Sequence, residues 1–349
     1  MTRKPRPRAH EGITLHQVAE QLGVSAITVS RALHHPEQVS ASLRARILDG
    51  VDHLGYVPNR SARLLASARS KTVVVLVPSL SNAVFVETLA GIHEVLHPLG
   101  YQVLIGNTRY DADEEARLLR AYLEHAPDGI LLTGLGQPSA IRQRLAQLAL
   151  PVVYMMDLTE PDSGDERMCV GLSQTAAGQT LTQHLLTQGR RRIAYLAAQL
   201  DERVMKRAQG YRLALQAAGC YDPGLEILDP RPSSIGLGVN LVESLLREHP
   251  DCDAVFCCND DLALGALFHC QRVGLAVPQQ LAIAGFNDLE ASAWTCPPLT
   301  SIATPRHQIG REAAQMLVDA LHDERPAQRR RDLGFELRVR ASTGSGIGS

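Results

Sequence analysis

Residues 14–33, TLHQVAEQLGVSAITVSRAL, join hydroxyl, amide and guanidinium side chains to a helical period, and the chemistry this offers is hydrogen bonding to a DNA duplex. Thr14 and Gln17 stand at capping-box spacing, which starts a first helix at Leu15. Leu15, Val18, Ala19 and Leu22 recur at i, i+3, i+4 and i+7 and form one apolar stripe. Gly23 permits a sharp turn, and Ser25 is placed to cap a second helix whose Val29 and Leu33 point inward. Ala26, Ile27, Thr28, Ser30 and Arg31 are then left on its outer side. A third helix, about 40–54, supplies Leu43, Ile47, Leu48 and Val51 to the same small core. Two short helices about a glycine turn are a device for laying the second one in the major groove. An ordinary helical hairpin shows part of this pattern, but what surrounds the segment argues against it.

The surroundings are electrically lopsided. The net charge of −2 divides into ten Lys and Arg against five acids over residues 1–70, and a net negative remainder. A basic front on an acidic body suits a polyanion met by the front alone. With 349 residues, 45% of them hydrophobic, the chain is long enough for two or three domains around large cores. The basic start MTRKPRPRAHEG is followed by no apolar h-region, so no secretory signal is expected, and no apolar run approaches the ~20 residues of a membrane span. The expected location is the cytoplasm, on the nucleoid. Cys169, Cys220, Cys252, Cys257, Cys258, Cys270 and Cys296 are odd in number and lack CxxC spacing, which reads as reduced core thiols. No metal site and no cofactor are expected.

Behind the helical front, residues 55–71 read GYVPNRSARLLASARSK. Pro58 holds Val57 extended, and Asn59 can cap a two-turn helix over about 60–68. A helix that short is marginal in water, so it is expected to order only when something supports it. From Thr72 the texture changes. Continuous apolar runs at 72–77, 102–105, 129–132, 152–155, 193–196, 254–257 and 281–286 alternate with helical patterns at 84–99, 112–124, 174–188, 203–218, 237–247, 261–273 and 308–322. Apolar strands alternating with amphipathic helices imply parallel sheets covered on both faces. Their extent implies two doubly wound subdomains, with a seam near Gly171. Ligands of such sheets sit outside the carboxyl ends of strands, which singles out 78–85, 156–157, 197–207, 259–260 and 287–288. The tail STGSGIGS is expected to fray. Its glycines precede no helix, and Gly134 and Gly136 lack a third partner, so neither set is a phosphate loop.

Taken together, these stretches resemble the LacI/GalR family of bacterial transcription regulators along nearly the whole chain. The likeness is carried by TLHQVAEQLGVSAITVSRAL, by LGYVPNRSARLL, which is similar to the family's hinge, and by VFCCNDDLALGAL, LAIAGFNDLE and PPLTSI in the body. LDERVMKRAQGY, PVVYMMD and HHPEQVS look like the branch that represses gluconate utilisation. The resemblance implies a helix-turn-helix headpiece at 1–58, a hinge helix at 59–70, and a periplasmic-binding-protein-like core at 71–349 that binds effector and dimerises. The amino-terminal subdomain would take about 72–170 and 304–331, and the carboxy-terminal one about 171–303 and 332–349.

By the same resemblance, the base-reading positions fall on Ala26, Ile27 and Arg31, where Arg31 can fork onto guanine and the other two offer apolar contact. Ser25, Thr28, Ser30 and Asn59 suit phosphates, Thr14 and Ala62 join the contact set, and Leu65 matches a minor-groove wedge. One headpiece covers too few base pairs, so a homodimer on a pseudo-palindromic operator is implied. The effector implied is a sugar acid, gluconate first and 2-ketogluconate or 6-phosphogluconate next. Arg207 matches the family's ligand-gripping arginine, with Asp201 and Arg203 on the same loop, and either Arg203 or Arg207 could take a carboxylate. Asn259 and Asn287 match hydroxyl-binding positions, Asp157 could accept from hydroxyls, and Asn82 and Phe85 could form the other wall. Asp260 could instead be a helix cap, and Asp201 with Arg203 a surface pair. The mechanism implied is release of the operator as effector closes the subdomains and the hinge melts. The rivals are a LacI-type regulator of another sugar or nucleobase, a sugar-binding module without DNA function, and a doubly wound enzyme, for which no catalytic constellation or dinucleotide fingerprint is present.

Overall fold

The computed structural model describes residues 13–56, 69–148, 150–161, 163–322 and 328–344. The proposed hinge helix, with Asn59, Ala62 and Leu65, lies outside the described residues. The chain divides into two compact units, 1–70 and 71–349.

Among the described residues the first unit holds three α-helices, α1 (Leu15–Leu22), α2 (Ala26–His34) and α3 (Ala41–His53). Val18, Ala19, Val29, Ala32, Ile47 and Val51 are buried at its centre. Here the structure corrects the helical-wheel reading. Ala32 is buried while Leu33 is only partly so, Ala26 keeps part of its surface exposed while also packing against the core, and Leu48 is not part of the cluster. Short helices crossing at an angle bury a narrower arc than a full stripe, which selects the small Ala32 at the closest approach.

The second unit carries two six-stranded sheets. The first runs β11-β5-β4-β3-β1-β2 and is parallel throughout, from β1 (Thr72–Val77), β2 (Gln102–Asn107), β3 (Gly129–Thr133), β4 (Val152–Met155), β5 (Met168–Gly171) and β11 (Arg330–Asp332). The second runs β12-β10-β9-β8-β6-β7, from β6 (Ile193–Ala198), β7 (Glu226–Asp229), β8 (Ala254–Cys257), β9 (Ala282–Asn287), β10 (Thr300–Ala303) and β12 (Glu336–Arg338), with only β12 antiparallel to its neighbour. The β1 sequence TVVVLV is buried along its whole length because both faces are covered. Val73, Val75 and Val77 enter one core while Val74 and Leu76 enter another on the opposite face. The chain crosses between sheets after Gly171, after Ala303 and after Asp332.

Eight helices cover these sheets: α4 (Ala83–Leu96), α5 (Ala112–Leu123), α6 (Ser139–Ala146), α7 (Gln174–Thr187), α8 (Glu202–Ala217), α9 (Ile235–Glu248), α10 (Asp260–Val273) and α11 (Arg306–Leu321). The α7–α8 contact sets the position of Arg203, Lys206 and Arg207, which α8 carries. Its backbones touch because glycines meet there: a Cβ on Gly178 would lie 2.3 Å from the Arg207 carbonyl oxygen, and one on Gly210 would lie 2.1 Å from that of Thr175.

The expected fraying of the tail is corrected at its start. Ser342 accepts from the Thr300 amide at 2.8 Å and donates to the Ile283 carbonyl at 2.5 Å, and Thr343 bonds His184 at 2.8 Å. These hydroxyls satisfy buried backbone and imidazole groups, so the chain is pinned through Thr343.

Candidate DNA-reading headpiece and effector cleft

In the headpiece, Thr14 caps α1 with both halves of a capping box: its amide donates to Gln17 Oε1 at 2.8 Å, and its hydroxyl accepts from the Gln17 amide at 3.3 Å. Gly23 closes α1 at φ 66°, a conformation that suits glycine. Ser25 caps α2 by accepting from the Thr28 amide at 3.1 Å, and the two hydroxyls lie 2.8 Å apart. Ser25 and Thr28 therefore sit together at the start of α2, where backbone N–H groups and the helix dipole favour an anion. Ile27 is 65% exposed and Arg31 is exposed too. Arg31 forms no ion pair or hydrogen bond with the described residues. An exposed isoleucine beside an uncommitted guanidinium on one helix face is what a groove-reading surface requires and a folding core does not.

The second candidate site lies where the strand ends of the two sheets face each other. Arg207, on α8, is buried. Its Nε donates to Gln174 Oε1 at 2.8 Å, one terminal nitrogen donates to the Cys258 carbonyl at 2.6 Å, and the guanidinium stacks 3.7 Å over the Phe286 ring. Burial pulls its pKa below the usual arginine value. Among the described residues no carboxylate touches it: dipoles and a π face contact the charge, and Asp201, committed to Arg203, acts on it only through space. Arg203 is different. It forks onto Asp201 with both bonds at 3.1 Å, and lies 5.9 Å from the Phe85 ring centroid. Burial works to raise the Asp201 carboxyl, but Arg203 and Arg207 outweigh it and hold it below the ordinary carboxylate range. Asp201 also accepts from the Arg203 and Val204 amides as the cap of α8. The pair foreseen as a surface feature is real, but Arg203 is buried, which corrects its setting and leaves Arg207 as the guanidinium free for a ligand acid.

Several foreseen ligand groups are partly committed. Asp157 is 1% exposed, accepts from Lys206 Nζ at 2.8 Å and from the Leu158 amide at 2.9 Å. Burial raises its carboxyl above the usual range, with Lys206 opposing. The ion pair ties the end of β4 in the first sheet to α8 of the second. Asn82 caps α4 through Val84 at 2.9 Å, and Asn259 caps α10 while donating to Ser233 at 2.8 Å. The cap is therefore Asn259 and not Asp260, whose buried carboxylate instead accepts from Ser301, Ser292 and the Leu289 amide, at 2.7, 3.0 and 2.7 Å. Asn287 closes β9 at φ 105°, with its carbonyl accepting from Arg306. Its buried side-chain amide makes no hydrogen bond among the described residues, so it remains available.

Three contributors were not foreseen. Gln174 bonds Arg207 with its oxygen and the Met156 carbonyl with its nitrogen at 2.8 Å, linking the arginine to the first sheet. Lys206 pairs with Asp157. Tyr110 stands at φ 59° beyond β2, and burial pushes its hydroxyl up to about 12 despite Arg203. Only the strand-end rule could have pointed to Tyr110, and the β2 run ends too early in the sequence pattern for that.

A pocket built at facing strand ends, with a capped two-helix reader ahead of it, matches two family models end to end. Residues 70–333 match the periplasmic binding proteins and sugar binding domain of the LacI family, and residues 14–59 match the bacterial regulatory proteins of the lacI family. The chain is 52% identical over 330 residues to the HTH-type transcriptional regulator GntR of Pseudomonas aeruginosa, covering 95% of each. It is similar to the crystal structure of the transcription regulator GntR of Chromobacterium violaceum, at 59% identity and TM-score 0.75, over 78% of this chain and 99% of that one. It is also similar to a LacI family regulator from Silicibacter pomeroyi, at 33% identity and TM-score 0.87, over 95% and 100%. Regulators of this kind act on DNA in the cytoplasm and carry out no catalysis. A reader of bases joined to a sugar-binding body, matched along almost its whole length, places this chain in the LacI family of bacterial regulatory proteins.

Proposed function

We propose that the chain represses genes of sugar-acid use by holding a pseudo-palindromic operator as a homodimer, on the nucleoid, and that a sugar acid releases it. The headpiece at 1–58 reads the duplex, the segment at 59–70 couples it to the body, and the body at 71–349 takes effector and dimerises. Ala26, Ile27 and Arg31 face the bases, Ser25, Thr28, Ser30 and Asn59 position phosphates, Thr14 and Ala62 complete the contact set, and Leu65 is the minor-groove wedge. Gluconate is the first choice of effector, and the GntR designation of the relatives is consistent with it.

The observation that carries the effector reading is the buried Arg207 guanidinium, which hydrogen-bonds no carboxylate and stacks on Phe286, the residue before Asn287 at the end of β9. A buried cation is costly unless paired, so this site is tuned for an anion that arrives from outside. Asn82, Asn259 and Asn287 then offer amides to hydroxyls, and Phe85 supplies an apolar wall. Closure follows because the ligand gains contacts with both subdomains only when they approach, and that difference in affinity is what shifts the equilibrium. Titration of labelled operator DNA with gluconate, 2-ketogluconate and 6-phosphogluconate tests this. Release by at least one acid at saturating concentration is expected, and retention of operator in all three, with no heat of binding by calorimetry, refutes it.

A further inference from the structure

A cavity of about 300 Å³ lies at the strand ends of the first sheet, walled by Pro78, Tyr110, Glu115, Gln137, Leu200 and Arg203. Its size falls at the lower end of small-molecule pockets, roughly 300–1,000 Å³. Among the described residues, two buried acceptors in its wall, Glu115 Oε1 and Gln137 Oε1, have no hydrogen-bond donor. The Gln137 amide nitrogen is already committed to the Gly134 carbonyl at 3.2 Å, which fixes the group with its oxygen unmet. Buried acceptors left unmet are unfavourable, and they persist where function supplies the partner. Arg203, the cation of the wall, is neutralised by Asp201. The chamber therefore offers acceptors without net positive charge, which suits hydroxyl donors and not a second anion. Tyr110, Asp201 and Arg203 line it, and Asp201 caps the helix whose first two turns carry both Arg203 and the proposed carboxylate anchor Arg207.

We infer that this chamber takes the end of the sugar acid remote from its carboxylate, with Glu115 and Gln137 accepting hydrogen bonds from its terminal hydroxyls. The inference rests on the effector reading above and sets its orientation: acid group on Arg207, polyol tail towards α5. Burial pushes the Glu115 carboxyl up to about 7, opposed by a hydrogen bond with the Gln137 side chain, so the two groups stand together as one receptor for a hydroxyl.

The test compares gluconate with 6-deoxygluconate, which lacks only the terminal hydroxyl, by calorimetry on the full chain. Wild type is expected to prefer gluconate by about ten-fold, the worth of one buried hydrogen bond. Glu115→Leu is expected to bind the two acids alike, because the group that distinguishes them is gone. Gln137→Met repeats the test from the other acceptor should Glu115→Leu fail to fold, as judged by circular dichroism, and is expected to narrow the preference too. A wild type that does not discriminate, or a preference retained by the folded variants, overturns the chamber assignment alone. A wild type that binds neither acid overturns gluconate as the effector and this inference with it.

Discussion

Replacing Arg207 by methionine removes the proposed carboxylate anchor while keeping a buried chain of similar length. In the protein alone, the variant loses two hydrogen bonds, to Gln174 and to the Cys258 carbonyl, and the stacking on Phe286. Each acceptor left unmet costs about 1–3 kcal/mol, and a desolvated cation–π contact is worth about 2 kcal/mol. Against this, a cation with no carboxylate partner no longer has to be kept from water, which returns several kcal/mol. These opposing amounts are similar, so the melting temperature is expected to change by only a few degrees. Binding has no such offset. Truncating one partner of a buried charge pair costs about 2–5 kcal/mol, which is a loss of roughly 30- to 5,000-fold in gluconate affinity. Calorimetry with gluconate beside a thermal melt separates the two quantities. If folded Arg207→Met binds gluconate within three-fold of wild type, the acid group is held elsewhere and the orientation argued for the ligand is wrong.

Arg31→Ala should weaken operator binding by about 1–3 kcal/mol and relax sequence preference at one position per half-site, with gluconate affinity unchanged; a uniform loss on all sequences in a mobility-shift assay would make it a phosphate contact instead. Leu65→Ala should abolish operator bending in a gel assay while leaving effector affinity near normal, and unchanged bending would contradict a wedge. The Asp260 carboxyl, pushed up to about 6 by burial, holds its proton in the folded chain at pH values where the unfolded chain has lost it. Its stabilising contribution is therefore full below about pH 4 and is lost as pH rises through 6, an effect of about 3 kcal/mol. Asp260→Asn should remove that slope from the difference between urea melts at pH 4.5 and 7.5; an unchanged slope would mean that the carboxyl stays ionised throughout.

How far the sequence revealed this architecture depended on burial. Thr72–Val77, Val152–Met155 and Ala254–Cys257 are continuous apolar runs because both faces are covered, and their limits are readable to the residue. Arg330–Asp332 and Glu336–Arg338 are strands at sheet edges with charged residues exposed on one side, and no periodicity marks three residues. Met168–Gly171 and Thr300–Ala303 are short, and α6 follows a proline with a weak apolar face, so these too leave little pattern. At the site, residue types were legible but allegiances were not. Asp157 and Arg207 could be picked out at strand ends, whereas Lys206 on Asp157 and Gln174 on Arg207 join groups 49 and 33 positions apart, and only the fold decides such pairs. Glu115 hides in an ordinary amphipathic helix, where a glutamate signals solvent.

Asn82, Asp201 and Asn259, all at strand ends and all in the proposed effector set, each cap the helix that follows them through a side-chain oxygen. Altering any of the three to suit a new nutrient would unravel a first turn at the same stroke. Divergence of taste among descendants of this chain should therefore accumulate at places that start no helix, such as Phe85 or Glu115, and spare the trio whose change would be punished twice.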